Sequence, residues 1–206
     1  QQVFSTGRKV FNTIRSILTG FDDSAIGRQG GFLTKASPWR ARGALAAHLK
    51  AALSDRRMFE EHQKIALREN SVNGNYKIGG LDLADFGQSA THAEEAIRAS
   101  FSLPYTGVKA SQRAFTTYLN VLRVDVFDAL VKALTKSGSA TPEELRAIAY
   151  FINLSTGRGQ VGPASWKAAN NAMADVFWAP KFAASRFQMS MGQPLWGGAS
   201  KGGSWR

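Results

Sequence analysis

The feature that most constrains this chain is a helical period held without a break from Lys109 to about Lys136. Phe115, Tyr118, Leu119, Leu122, Val126, Leu130, Ala133 and Leu134 recur at spacings of three and four for about seven turns. Asp125 and Asp128 interrupt the apolar surface, and Ser137-Gly138 ends the element. It is the longest element of a chain that reads as helix after helix.

Residues 3–18 place Val3, Phe4, Val10, Phe11, Ile14, Ile17 and Leu18 on one helical face, with Arg8, Lys9 and Arg15 on the polar face. Gly20 to Gly31 breaks the pattern. Ser37-Pro38 is a start signal, with serine able to cap orphan amides and proline suited to the first helical position. That helix should run to about Leu53, with Trp39, Leu45 and Leu49 inward and Arg40, Arg42 and Lys50 largely outward. Another is expected from about Asp55 to Glu69 through Phe59, Ile65 and Leu67. Asn70 to Gly87 is the least helical stretch. Its Asn73-Gly74 and Gly79-Gly80 predict an ordered glycine-rich loop or a small hairpin. A short helix is expected around 91–100.

Thr141-Pro142-Glu143-Glu144 is a capping box opening a helix to Leu154, with Leu145, Ile148, Ala149 and Ile152 inward. Ser165 opens another through Trp166, Met173 and Phe177, and Pro180 a last one through Phe182, Phe187 and Met191. The fold class is therefore all-α, an irregular bundle of about seven to eight helices. Three parts are expected. They are a basic N-terminal helix and linker over 1–28, a helical domain over 29–196, and a flexible glycine-rich tail or linker over 197–206.

At 206 residues the chain is long enough for one domain with a real core, or two small ones. The absence of cysteine excludes disulfide scaffolds, thiolate zinc sites and cysteine nucleophiles. No run of about 18 apolar residues suggests a membrane-crossing helix, and no signal peptide is visible. A chain opening on Gln1-Gln2 reads as a processed product or an excerpt of a longer polypeptide. The net charge of +11 is unevenly spread. Residues 1–57 carry ten basic and three acidic residues, residues 58–175 carry twelve of each, and residues 176–206 carry four basic residues and no acid. Basic ends around a neutral middle suit a polyanion, either nucleic acid or an anionic membrane surface.

Gly157-Arg158-Gly159-Gln160-Val161-Gly162 matches the dinucleotide-binding pattern by letter. That motif must leave a strand and enter a helix, whereas here it leaves a helix, so it reads as a helix–helix connection with positive-φ glycines. His48, His62 and His92 form no metal-ligand pair, and no metal or other cofactor is expected. Glu60-Glu61 and Glu94-Glu95 diverge around a helix and read as exposed faces. Asp125 and Asp128, at i, i+3, can serve an ion or acid–base chemistry. They more readily hold Arg113, Arg123 or Arg146 in interhelical pairs. Val176 to Trp196 interleaves Phe177, Trp178, Phe182, Phe187 and Trp196 with Lys181 and Arg186. That pattern fits stacking on single strands, a membrane interface, or simple completion of a core or subunit contact.

Four blocks of residues, in order along the chain, carry a resemblance. They are Gln29-Gly30-Gly31-Phe32-Leu33 with Trp39-Arg40; Ala110 to Asn120 with Leu122-Arg123 and Phe127-Asp128; Ala149 to Asn153 with Thr156-Gly157-Arg158-Gly159; and Phe182 to Phe187 with Gln193-Pro194-Leu195. Together they resemble an α-helical domain of phage and prophage large polyvalent proteins, over about residues 29 to 196. The resemblance implies a non-catalytic module inside a very long phage protein, packaged in the virion and delivered with the genome. Its implied partners are other virion or ejection proteins, further copies of itself, and phage DNA bound without sequence preference, with no small-molecule substrate. The implied location is the capsid interior or ejection apparatus, after synthesis in the host cytoplasm. Candidate nucleic-acid contacts are Arg8, Lys9, Arg15, Arg40 and Arg42, with Arg158 and Arg186. The alternatives are a nucleic-acid-gripping accessory to a phage polymerase or helicase, and a peripheral membrane or translocation-channel element using 176–196.

Overall fold

A computed structural model describes residues 30–84, 106–134, 140–159 and 180–193. The expectations for 1–28, 91–100, the helix opening at Ser165 and the tail from 197 lie outside them. The described residues form seven helices and no strand, so the chain is all-α. In order they are α1 (Gly31–Ala36), α2 (Pro38–Leu53), α3 (Asp55–Ser71), α4 (Asn75–Gly79), α5 (Thr106–Leu134), α6 (Pro142–Ser155) and α7 (Pro180–Ser190).

The expected long helix is α5, at 29 residues. Its middle is enclosed on all sides, because every residue from Thr116 to Val124 is buried. Such a helix has no solvent face and must be wrapped by others. The wrapping helices meet in one core, where Tyr118, Leu119, Leu122, Val124 and Phe127 of α5 join Ile148, Ala149 and Ile152 of α6.

Helix α2 covers α5 with its smallest residues. Ala41, Ala44, Ala47 and Ala51 are buried with His48, whose ring meets Tyr118 edge-on at a centroid distance of 6.2 Å. The inward assignment of Trp39, Leu45 and Leu49 is corrected, since all three are exposed. Alanine at 41, 44, 47 and 51 has the same helical period, and a methyl lets two backbones approach where leucine would hold them apart. Arg113 of α5 then ties down the end of α2. Its Nε and Nη2 donate to the carbonyls of Ala51 and Ala52, both at 3.2 Å, and Nη1 lies 2.9 Å from Asp55 at the start of α3. Cationic donors at the last carbonyls of a helix satisfy orphan acceptors and suit its dipole.

The capping box of α6 forms as its sequence predicts. Thr141 Oγ1 accepts from the Glu144 amide at 3.3 Å, and Glu144 Oε2 accepts from the Thr141 amide at 2.8 Å. Ser37, in contrast, makes no side-chain cap. It closes α1 as it opens α2, and its hydroxyl accepts from Arg40 Nη1 at 3.5 Å.

Residues 72–84 hold α4 between two turns, so the hairpin is replaced by a short helix. Asn73 adopts φ 56 and stops α3, with the Gly74 amide donating to Glu69 O at 2.9 Å. Asn-Gly here serves a left-handed helix stop, which needs the same backbone freedom as a hairpin turn. At Gly79 a Cβ would sit 2.8 Å from the Leu145 carbonyl oxygen, so α4 lies directly on the first turn of α6.

Candidate functional site

Two polar clusters and one exposed helix face hold the groups that can do chemistry. The first cluster lies where α5, α6 and the segment after α4 meet. Arg123 is fully buried, donating from Nε to Thr156 Oγ1 at 2.9 Å, with Nη1 3.4 Å from Asn120 Oδ1. Asn120 receives the Ala84 amide on Oδ1 at 3.0 Å and donates from Nδ2 to the Ala84 carbonyl at 2.9 Å. Asn153 of α6 does the same one step earlier, accepting from the Asp82 amide and donating to the Gly80 carbonyl, both at 2.9 Å. Two side-chain amides thus hold residues 80–84 as a neighbouring strand would.

Arg158 closes this cluster. Gly157, at φ 86, ends α6 in a turn whose paired bonds run from the Arg158 amide to Asn153 O (2.8 Å) and from the Gly157 amide to Leu154 O (3.2 Å). This is a Schellman stop, and it turns the Arg158 side chain inward. That side chain is 4% exposed, with Nε 3.6 Å from Asp82 Oδ2. Arg158 is therefore corrected from a nucleic-acid contact to a buried partner of its own chain's carboxylate. The loop leaves a helix, and Gly157 uses its positive φ for the stop, which removes the dinucleotide reading.

The second cluster contains the two aspartates. Arg68 of α3 reaches both, Nη1 to Asp125 at 2.6 Å and Nη2 to Asp128 at 2.5 Å. Tyr76 of α4 donates its hydroxyl to Asp128 at 2.8 Å. Burial and the bond to Asp128 push the Tyr76 hydroxyl well above the ordinary phenol range. The aspartates serve an interhelical pair, as the sequence suggested, with a different arginine. Arg113, Arg123 and Arg146 are engaged elsewhere, Arg146 with Glu143 at 3.6 Å. The forked guanidinium meets one oxygen of each carboxylate and Tyr76 meets the other oxygen of Asp128, so both aspartates tie α5 to α3 and α4. Among the described residues, no three His, Asp or Glu side chains gather as a metal site.

Glu60 lies on an exposed face with Arg56, while Glu61 is corrected to a nearly buried position. Burial raises the Glu61 carboxyl, and hydrogen bonds and charge from Lys64 (2.8 Å) and Lys50 (3.3 Å) more than offset that, leaving it below the ordinary carboxylate value.

Of the sequence-predicted contacts, Arg8, Lys9 and Arg15 lie outside the described residues. Arg40 and Arg42 are exposed on α2, the Arg42 guanidinium 4.4 Å above the Trp39 ring. Arg186 of α7 is half-buried, and desolvation lowers its pKa. Sequence reasoning missed Asn120, Asn153 and Thr156 as structural anchors. Thr116, Asn120 and Arg123, spaced by four and three among the apolar residues at the middle of the long helix, were the available signal. No known family, curated protein or solved structure matches the chain.

Proposed function

We propose that this chain is a non-catalytic helical module of a large phage internal virion protein. It packs among other virion proteins and faces packaged DNA through its basic surface. One observation carries the DNA-facing reading. From Gly31 to Leu53 the chain has no acidic residue, and the helices built from it hold Lys35, Arg40 and Arg42 exposed. No carboxylate of that stretch opposes a polyanion, and Asp125, which reaches Gly43, is paired with Arg68. The residues behind the resemblance to large polyvalent proteins support the scaffold reading, because Asn120, Arg123, Asn153, Thr156 and Arg158 are spent on holding α5, α6 and residues 80–84 together.

Binding of this kind is driven by phosphate neutralisation. The 206-residue chain should bind duplex DNA of unrelated sequences equally well, with affinity falling steeply between about 50 and 200 mM salt. Arg40→Gln with Arg42→Gln should flatten the log–log salt slope by up to about 1.8. Fluorescence anisotropy across a salt series reads both quantities. Affinity that ignores salt, or an unchanged slope in the double variant, would refute the assignment.

A further inference from the structure

We propose that the outward face of α2 docks in the interface of an anionic lipid bilayer. This inference goes beyond the DNA reading: it shares the cations of α2 with that reading and adds the exposed side chains of Trp39, Leu49 and Leu53. Helix α2 has two apolar faces. The alanine face is spent on α5, while Trp39, Arg42, Ala46, Leu49 and Leu53, at spacings of three and four, form an opposite stripe. That stripe spans about 21 Å at 1.5 Å per residue. Trp39 is 75%, Leu49 58% and Leu53 72% exposed, with Leu45 alongside at 41%. Single exposed leucines are ordinary, whereas a row of them on one helix is a contact surface.

Charge decides the occupant. The stripe lies in the acid-free stretch 31–53, where Lys35, Arg40 and Arg42 are exposed, while Lys50 is paired with Glu61 of α3 at 3.3 Å. Nucleic acid would satisfy those cations and stack on Trp39, yet leave Leu49 and Leu53 in water. A second copy, paired antiparallel about Ala46, would cover the leucines yet supply no anion from its own stretch 31–53. An anionic bilayer accepts both kinds of group: leucines enter the acyl boundary and cations meet lipid phosphates. Trp39 with Arg42 stacked on its ring suits the headgroup level, where indole and guanidinium both settle. Among the described residues no helix is long and apolar enough to cross a membrane, so the contact lies in the interfacial plane.

The test is co-sedimentation of the 206-residue chain with vesicles of phosphatidylcholine alone and of phosphatidylcholine mixed with phosphatidylglycerol. Binding should require the anionic lipid. Leu49→Ser with Leu53→Ser should keep the parent melting temperature, because both side chains are exposed, and lower partitioning about a hundredfold. The same variant should bind DNA like the parent, so failure here is separable from failure of the DNA reading. The proposal is overturned if the parent ignores anionic vesicles, or if the leucine variant partitions like the parent. It is equally overturned if the leucine variant loses DNA affinity in parallel. Loss of a concentration-dependent dimer in sedimentation equilibrium, with vesicle binding intact, would assign the face to a second copy.

Discussion

At the scale of single residues, the charged groups of this core act in assemblies that join distant parts of the chain. Glu61 shows what one contributes. Its carboxyl is held below the ordinary value of 4.5 by Lys64 and Lys50 against the opposing effect of burial. A carboxyl depressed in the folded state stabilises above its unfolded value, and that gain is lost as pH falls through the folded value. Glu61→Gln should therefore cost about 1 kcal/mol at pH 7. The gap between variant and parent should close as pH drops below about 4.5. Urea midpoints measured from pH 7 to pH 3 read this; a constant gap would show that the carboxylate charge is not what stabilises. The sequence points to Asp125 and Asp128 as structural acids, because no histidine or third acid stands near them to share acid–base chemistry. It did not identify Arg68, 57 residues from Asp125, because only tertiary folding brings α3 beside α5.

At the scale of elements, legibility followed chemistry that is local. The capping box of α6 and the period of α5 were readable because every partner lies within a turn or two. In α2 hydrophobic bulk marks the outer face, because close helix approach selects alanine for the inner one. The same logic of approach governs α4, where two adjacent glycines are required for different reasons. Gly79 touches backbone, with 2.8 Å from its missing Cβ to the Leu145 carbonyl oxygen, while Gly80 has open space and φ 72. Gly79→Ala should force α4 from α6 and cost about 2–3 kcal/mol. Gly80→Ala should cost only the left-handed backbone penalty of about 1 kcal/mol. Denaturant midpoints of the two variants give the comparison, and equal losses would mean that α4 and α6 are not in backbone contact.

At the scale of the whole molecule, a neutral middle of the sequence supplies helix α5, on which α1, α2, α3 and α6 pack, and the excess positive charge lies outside that middle. The all-α class follows from periodicity alone. The arrangement around α5 does not, because it depends on polar residues that a reading for hydrophobic faces passes over. Asn120 and Asn153 are the clearest case, and they alter how a stretch with no regular structure should exchange its hydrogens with solvent. The amides of Asp82 and Ala84 belong to no helix, yet each donates to a side-chain carbonyl of a packed helix. Exchange requires that bond to open, so both amides should resist deuterium like helical ones. Asn153→Ala should release Asp82 while Ala84 stays slow, and Asn120→Ala should do the reverse. Residue-resolved exchange by NMR measures each, and fast exchange of both in the parent would contradict the clasp. In this protein, slow exchange can be conferred from outside the segment that displays it.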